Sequence, residues 1–181
     1  MSESKQITLS IPEILAIQPK ASGWRVLPDG TRIWIHATAK IELTAILFNG
    51  ATVGAYAMVG DDATVGAYAM VGDDAKVGND AKVGAYAKVG NHATVGAYAK
   101  VGDGAKVGNG AMVGAGATVG DGAKVGDGAK VGAGATVGDD ATVDDGATVD
   151  AYATVGDGAK VGDGGSPQAP PNAEPTADPQ K

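Results

Sequence analysis

The chain of 181 residues contains no cysteine, two histidines, one phenylalanine and two tryptophans. Without cysteine there are no disulfides, no thiol nucleophile and no zinc site built on sulfur. No run of eighteen apolar residues occurs, which excludes a membrane-spanning helix of the ordinary kind. Residues Met1 to Lys20 lack the basic-then-apolar layout of a secretory leader, so the expected location is cytoplasmic. Basic residues are also scarce: 14 Lys and Arg stand against 21 Asp and Glu, a net charge of −7. That is the wrong sign for a phosphate backbone, so neither nucleic acid nor a membrane is an expected partner. Beyond Phe48 there is no Ile, Leu, Phe or Trp at all, whereas 19 of the 20 valines follow Gly50.

That second stretch is a repeat. From Ala51 to Ala159 every sixth residue is Ala, 19 times without a slip, and Val stands two residues later in all 19. Gly follows Val in 17 of them, Asp144 and Asp150 being the exceptions. The same two slots continue upstream with Ala45 and Leu47, Ala39 and Ile41, and Ile33 and Ile35. A period of six does not fit a helix face, but apolar-x-apolar followed by three turn-forming residues fits a short strand and a bend. Ala and Val then point inward, and the residue between them points to solvent. The Gly and the small pair after Val relieve the corner, and the second corner slot favours a left-handed backbone.

The Val-Gly-x-x-Ala-x unit resembles the bacterial transferase hexapeptide repeat. The resemblance implies an all-β fold, a left-handed parallel β-helix with three strands, eighteen residues, per coil. Over residues 33–164 this gives roughly seven coils and a rod about 35 Å long at ~4.8 Å per coil. The domain layout expected is an N-terminal cap over 1–32, the β-helix over 33–164 and a disordered Pro-rich tail over 165–181. In the cap, Ser10 to Glu13 reads as a capping box with Pro12 early in a helix over about 10–18, and Ile11, Ile14, Leu15 and Ile17 form its apolar face. Trp24, Val26 and Leu27 before Pro28-Asp29-Gly30 read as an irregular strand and turn. No helix follows the last coil, so Ala147, Val149, Ala153, Val155, Ala159 and Val161 are expected beside unpaired strand edges, with proline in the tail a poor capping strand.

Residues eighteen apart stack into columns. One outward face carries Lys88, Lys106 and Lys124, and another carries Thr118, Thr136 and Thr154. Among the corners, Asp103, Asp121, Asp139 and Asp157 fall in one line, with Tyr68 and Tyr86 at its start. Like charges ~4.8 Å apart repel by about 1 kcal/mol even in water, so this acidic column is the one candidate for a divalent cation. Water, salt and neighbours such as Lys106 and Lys124 are the alternative means of screening it. The glycine-rich nonapeptide that builds calcium sites in other β-helices is missing.

The resemblance also implies chemistry. In hexapeptide acyltransferases a histidine acts as general base, and in this chain the candidate is His92, within Gly90-Asn91-His92-Ala93. The donor would be acetyl-CoA or a similar acyl thioester, the acceptor a hydroxyl or amine, and the assembly a trimer. Two histidines are too few for the three-histidine metal site of the related γ-class carbonic anhydrases. Against an enzyme stands the unbroken register from 33 to 162, where the family's transferases typically carry a protruding loop and a C-terminal helix. Residues 51–62 also recur identically as 63–74. Twelve residues are two strands of a three-strand coil, so such a duplication turns everything after it onto another face. A rod tolerates that better than an active site does. The leading expectation is therefore a non-catalytic structural or interaction rod with no cofactor, self-associating as a trimer or end to end. The alternative is an acyltransferase using acetyl-CoA with His92 as base, and a distant third is an acidic decoy for a nucleic-acid-binding protein.

Overall fold

A computed structural model describes residues 10–19, 24–162 and the backbone of 167–168. Each hexapeptide is a two-residue strand and a corner, such as Lys88–Val89 followed by Gly90 to Ala93. Strands eighteen residues apart pair in parallel and in register, Lys88 opposite Met70 on one side and Lys106 on the other. Three sheets result, of ten, seven and seven strands. The first contains Thr52–Val53 to Lys160–Val161, the second Lys40–Ile41 to Thr148–Val149, the third Ile46–Leu47 to Thr154–Val155. The chain is thus a parallel β-solenoid of about seven turns with three strands to the turn, as the resemblance implied.

Alternation puts Ala and Val inside. Val53, Ala57, Val65, Ala81 and Val119 are each fully buried, and the core is a column of such pairs with larger Ile and Leu only near the N-terminal end. Side chains this small suit three sheets that close around a narrow interior, because dense packing leaves no room for an added methylene.

The corners explain the rest of the repeat. A Cβ added at Gly84 would lie 2.5 Å from Asp103 Oδ1 and 2.6 Å from the backbone carbon of Gly102 in the next turn, so only glycine lets the turns stack. Asp144 and Asp150, the two departures from glycine, fall near the C-terminal end of the rod, and at Gly156 in its last turn an added Cβ would meet nothing within 4 Å. Two residues after this glycine the backbone is left-handed throughout. Ten of these positions carry side chains, at φ between 54° and 63°, and they include all five tyrosines as well as His92. The conformation is held by a backbone bond to the preceding turn, for example Tyr86 N–H to the Ala67 carbonyl at 2.8 Å.

At the N-terminal end, helix α1 (Ile11–Ala16) seats Ile11 and Ile14 on the core, both buried, while Leu15 is left 43% exposed. The Glu13 carboxylate accepts hydrogen bonds from the Ser10 hydroxyl at 2.7 Å and the Ser10 backbone N–H at 2.8 Å, which hold it below the usual carboxylate range. Strand β1 (Trp24–Val26) pairs antiparallel with β2 (Arg32–Ile35), Trp24 opposite Trp34, and β2 opens the first turn of the rod. The region read from sequence as an irregular strand and turn is therefore a hairpin. Its Arg25 is buried and donates to the Ile35 carbonyl at 2.8 Å.

The C-terminal end differs from expectation. Val149, Val155, Ala159 and Val161 are 0–3% exposed rather than open to solvent. Pro167–Gln168 pairs antiparallel with Lys160–Val161, Pro167 opposite Val161, which gives the first sheet an antiparallel strand at both ends. Proline lacks only the donor, and the edge of a sheet is where that loss is tolerated. The remainder of the tail, 165–166 and 169–181, lies outside the described residues.

Candidate functional site

His92 occupies the left-handed slot of the corner that joins the first sheet to the second, at φ 59°. Its backbone N–H donates to the Asp73 carbonyl at 2.8 Å, so the position is fixed while the imidazole is exposed and makes no hydrogen bond among the described residues. Its column neighbours are Asp74 and Gly110. A Cβ added at Gly110 would meet nothing within 4 Å, so the rod is open on that side of the ring. His36, the other histidine, is half-buried and engaged: its Nδ1 lies 2.8 Å from Thr38 Oγ1, and its ring 5.9 Å from that of Trp34.

Asp103, Asp121, Asp139 and Asp157 do align, along the edge between the third sheet and the first. Each Oδ1 accepts the backbone N–H of the residue eighteen positions earlier: Ala85 to Asp103, Asp103 to Asp121, Asp121 to Asp139 and Asp139 to Asp157, at 2.7–3.0 Å. A second ladder, through Asp73, Asn91, Asn109, Asp127 and Asp145, runs up the edge of His92 at 2.7–2.9 Å. In that second ladder Asn and Asp serve alike, so what the corner uses is an acceptor oxygen and not a charge. No group of three or more metal-ligating side chains is gathered among the described residues. Tyr68 and Tyr86 lie in the adjacent column, one residue further along the same corners, and not in the aspartate line. Their rings stack at 5.2 Å between centroids, 12° from parallel.

Two concavities stand out. A half-open groove of about 500 Å³ follows the second sheet, between Lys40, Met58, Lys76 and Thr94 on the strands and Asp61 and Asn79 at the corner beyond. His92 stands on the opposite edge of that sheet, two residues before Thr94, so the face between the imidazole and the groove is one short strand wide. The aspartate column is on another edge altogether, and the fold does not bring it to His92. The second concavity, about 430 Å³, was not foreseen. It lies between the β1–β2 hairpin and the first corners and is lined by Trp24, Gly30, Arg32, Asn49, Gly50 and Tyr68. A signal for it was present, since the chain's only two arginines and only two tryptophans fall within residues 24–34.

The family profile described as Bacterial transferase hexapeptide (six repeats) matches at 56–91, 74–108, 86–121 and 104–139. Together with the fold this defines a hexapeptide-repeat β-solenoid. The repeat over residues 56–139 is that of the bacterial transferase hexapeptide family. Among curated proteins no sequence matches it. Among solved structures it is similar to PerB from Caulobacter crescentus in complex with CoA and GDP-perosamine, at 21% identity and TM-score 0.52 over 76% of this chain and 57% of that one. It is also similar to the UDP-N-acetylglucosamine acyltransferase of Francisella novicida, at 16% identity and TM-score 0.53 over 67% of this chain and 58% of that one. At such identities the likeness is one of fold, and the chain spans less than three fifths of the length of either protein.

Proposed function

We propose that the chain supports acyl transfer from a thioester such as acetyl-CoA to an amine or hydroxyl, with His92 as general base. The observation that carries this reading is that His92 is the one histidine within the family-matched stretch 56–139, and its ring is exposed and free of hydrogen bonds. In the step proposed, the imidazole takes the acceptor's proton as its nitrogen or oxygen forms a bond to the thioester carbonyl carbon. The carbon–sulfur bond then breaks, and the departing thiolate recovers the proton from the imidazolium. The groove on the second sheet offers the Lys40 and Lys76 ammonium groups to the phosphates of such a carrier and Met58 to its apolar arm. The thioester itself supplies the activated acyl group. Enclosure from water would come from a second copy in a homo-oligomer, since this rod carries no loop of its own over His92.

Two features favour a second reading, a non-catalytic rod: no insertion breaks the repeat from 33 to 162, and 51–62 recurs identically as 63–74. The two part at His92→Asn. Asparagine accepts a left-handed backbone, so the fold is retained in both cases. Acyl transfer predicts a loss of about 10²- to 10⁴-fold in rate with acetyl-CoA and an amine or hydroxyl acceptor. It also predicts that acetyl-CoA at 100 times its dissociation constant stabilises the wild type by about 2.7 kcal/mol. No thermal shift with acetyl-CoA, and no transfer above background, would leave the rod.

A further inference from the structure

The cleft at the N-terminal end is unlike the rest of the rod. Corner tyrosines recur along the rod, but here the hairpin's Trp24 and the corner's Tyr68 line the same hollow, with Tyr86 stacked on Tyr68 from the next turn. Asn49 donates from Nδ2 to the Tyr68 hydroxyl at 3.3 Å and accepts the Arg32 backbone N–H at 3.0 Å, which ties the corner to the hairpin. The Arg32 side chain is exposed and, among the described residues, makes no ion pair or hydrogen bond. A hollow with aromatic walls and one unpaired guanidinium suits an extended, proline-rich, acidic segment. Proline-rich chains dock in aromatic grooves at low entropic cost, because the polyproline conformation is already formed before binding.

The chain contains one such segment. Five of its eight prolines, Pro167, Pro170, Pro171, Pro175 and Pro179, lie in the tail, together with Glu174, Asp178 and Lys181, so its side chains carry a net charge of −1. Because Pro167–Gln168 runs antiparallel to Lys160–Val161, the chain leaves Gln168 toward the corner of Asp157 and Gly158. That is the edge on which, six turns away, Asn49 and Gly50 line the cleft. Thirteen residues follow Gln168, enough for about 40 Å as polyproline, against the ~29 Å of six turns. To reach its own cleft the tail must nevertheless pass Asp157, Asp140, Asp139, Asp121 and Asp103, all on that edge and of the same sign as Glu174 and Asp178. A second copy placed end to end offers its cleft without that passage.

We infer that the Pro-rich tail of one copy docks in the Trp24–Arg32–Tyr68 cleft of the next, so that the rods associate head to tail. The contact is heterologous: each copy uses two different surfaces and leaves one of each free, so the series is open-ended. This does not depend on His92 or on acyl transfer.

Two full-length variants test it by sedimentation velocity. The first, Arg32→Glu with Tyr68→Gly, spoils the cleft while glycine keeps the left-handed backbone at 68. The second, Pro170→Gly, Pro171→Gly and Pro175→Gly with Glu174→Lys, spoils the tail and alters no residue of the rod. Wild type should show mass increasing with concentration beyond the dimer, and each variant alone should associate at least about tenfold more weakly, the equivalent of one lost charge-assisted contact. An equimolar mixture of the two should form dimers and stop there, since one intact tail meets one intact cleft. The inference is overturned by a wild type that stays monomeric at every concentration, which includes a tail seated in its own cleft. It is equally overturned by a closed oligomer that neither variant disturbs, or by a mixture that forms no dimer.

Discussion

Residues 10–50 and residues 51–162 solve the same problem by different means. The first region buries Ile11, Ile14, Leu27, Ile33, Ile35 and Leu47 through a helix, a hairpin and an irregular first turn, each element fixed by its own side-chain bonds. The second buries Ala and Val alone, and its order comes from backbone ladders between identical turns. The lesson is where specificity resides. In the cap it lies in the shapes of individual residues, while in the rod it lies in the spacing between them, so the rod tolerates changes on its outward faces and punishes changes in its inward and corner slots.

The largest expected effect breaks that rule on the inside. Val107→Trp should cost about 3 kcal/mol or abolish folding, because the interior has no room to relax, whereas Lys106→Trp, one residue away on the outside, should stay within about 0.5 kcal/mol. Chemical denaturation of the two variants checks it, and equal destabilisation would mean the assigned register is wrong. Next is the corner glycine. Gly84→Ala, which meets the following turn, should cost about 2 kcal/mol, while Gly156→Ala, with nothing within 4 Å of the new Cβ, should be neutral or slightly stabilising. Thermal melts separate them.

A smaller effect is expected in the aspartate ladder. Asp121→Ala leaves the Asp103 N–H without its acceptor and should cost about 1 kcal/mol, whereas Asp121→Asn keeps the bond and should cost almost nothing. A larger loss for Asn than for Ala would show that charge matters after all. The smallest effect lies in the cap. Glu13 is held below its ordinary value by Ser10, so its contribution is present above the unfolded carboxylate pKa and is lost as the pH falls through the lower folded value. Hydrogen exchange at the α1 amides should accelerate, beyond its intrinsic pH dependence, over that acidic range in the wild type. In Glu13→Gln the acceleration should be missing.

The fold was legible because a six-residue period carried over 19 repeats admits few structures, and inward Val and outward Lys or Thr could be assigned by alternation alone. The first corner slot has a role that a list of side chains does not reveal. A string of aspartates reads as charge, but the partner of each is a backbone N–H eighteen residues away, a group that no side-chain inventory contains. The left-handed slot of His92 was visible from its neighbours Asp, Gly and Tyr in equivalent positions, yet nothing in sequence tells whether its ring is engaged. The cleft was hidden because it forms only where a hairpin meets the corners of the first turns, bringing Trp24 and Arg32 beside Asn49 and Tyr68. The C-terminal end was read as open because proline counts as a poor capping strand, whereas Pro167–Gln168 pairs with Lys160–Val161 at the sheet edge, where the missing donor is tolerated.

A turn of eighteen residues also gives the rod an angular arithmetic. Inserting three hexapeptides lengthens it by one turn and leaves its two ends in the same rotational phase. Inserting one or two, as the repeat of 51–62 at 63–74 did, advances the far end by one or two sheets, about a third or two thirds of a revolution. In a head-to-tail series that phase difference recurs at every junction. The number of hexapeptides, taken modulo three, therefore sets the helical twist of the whole filament, so a change in repeat number that leaves every local contact intact would still change the filament's shape.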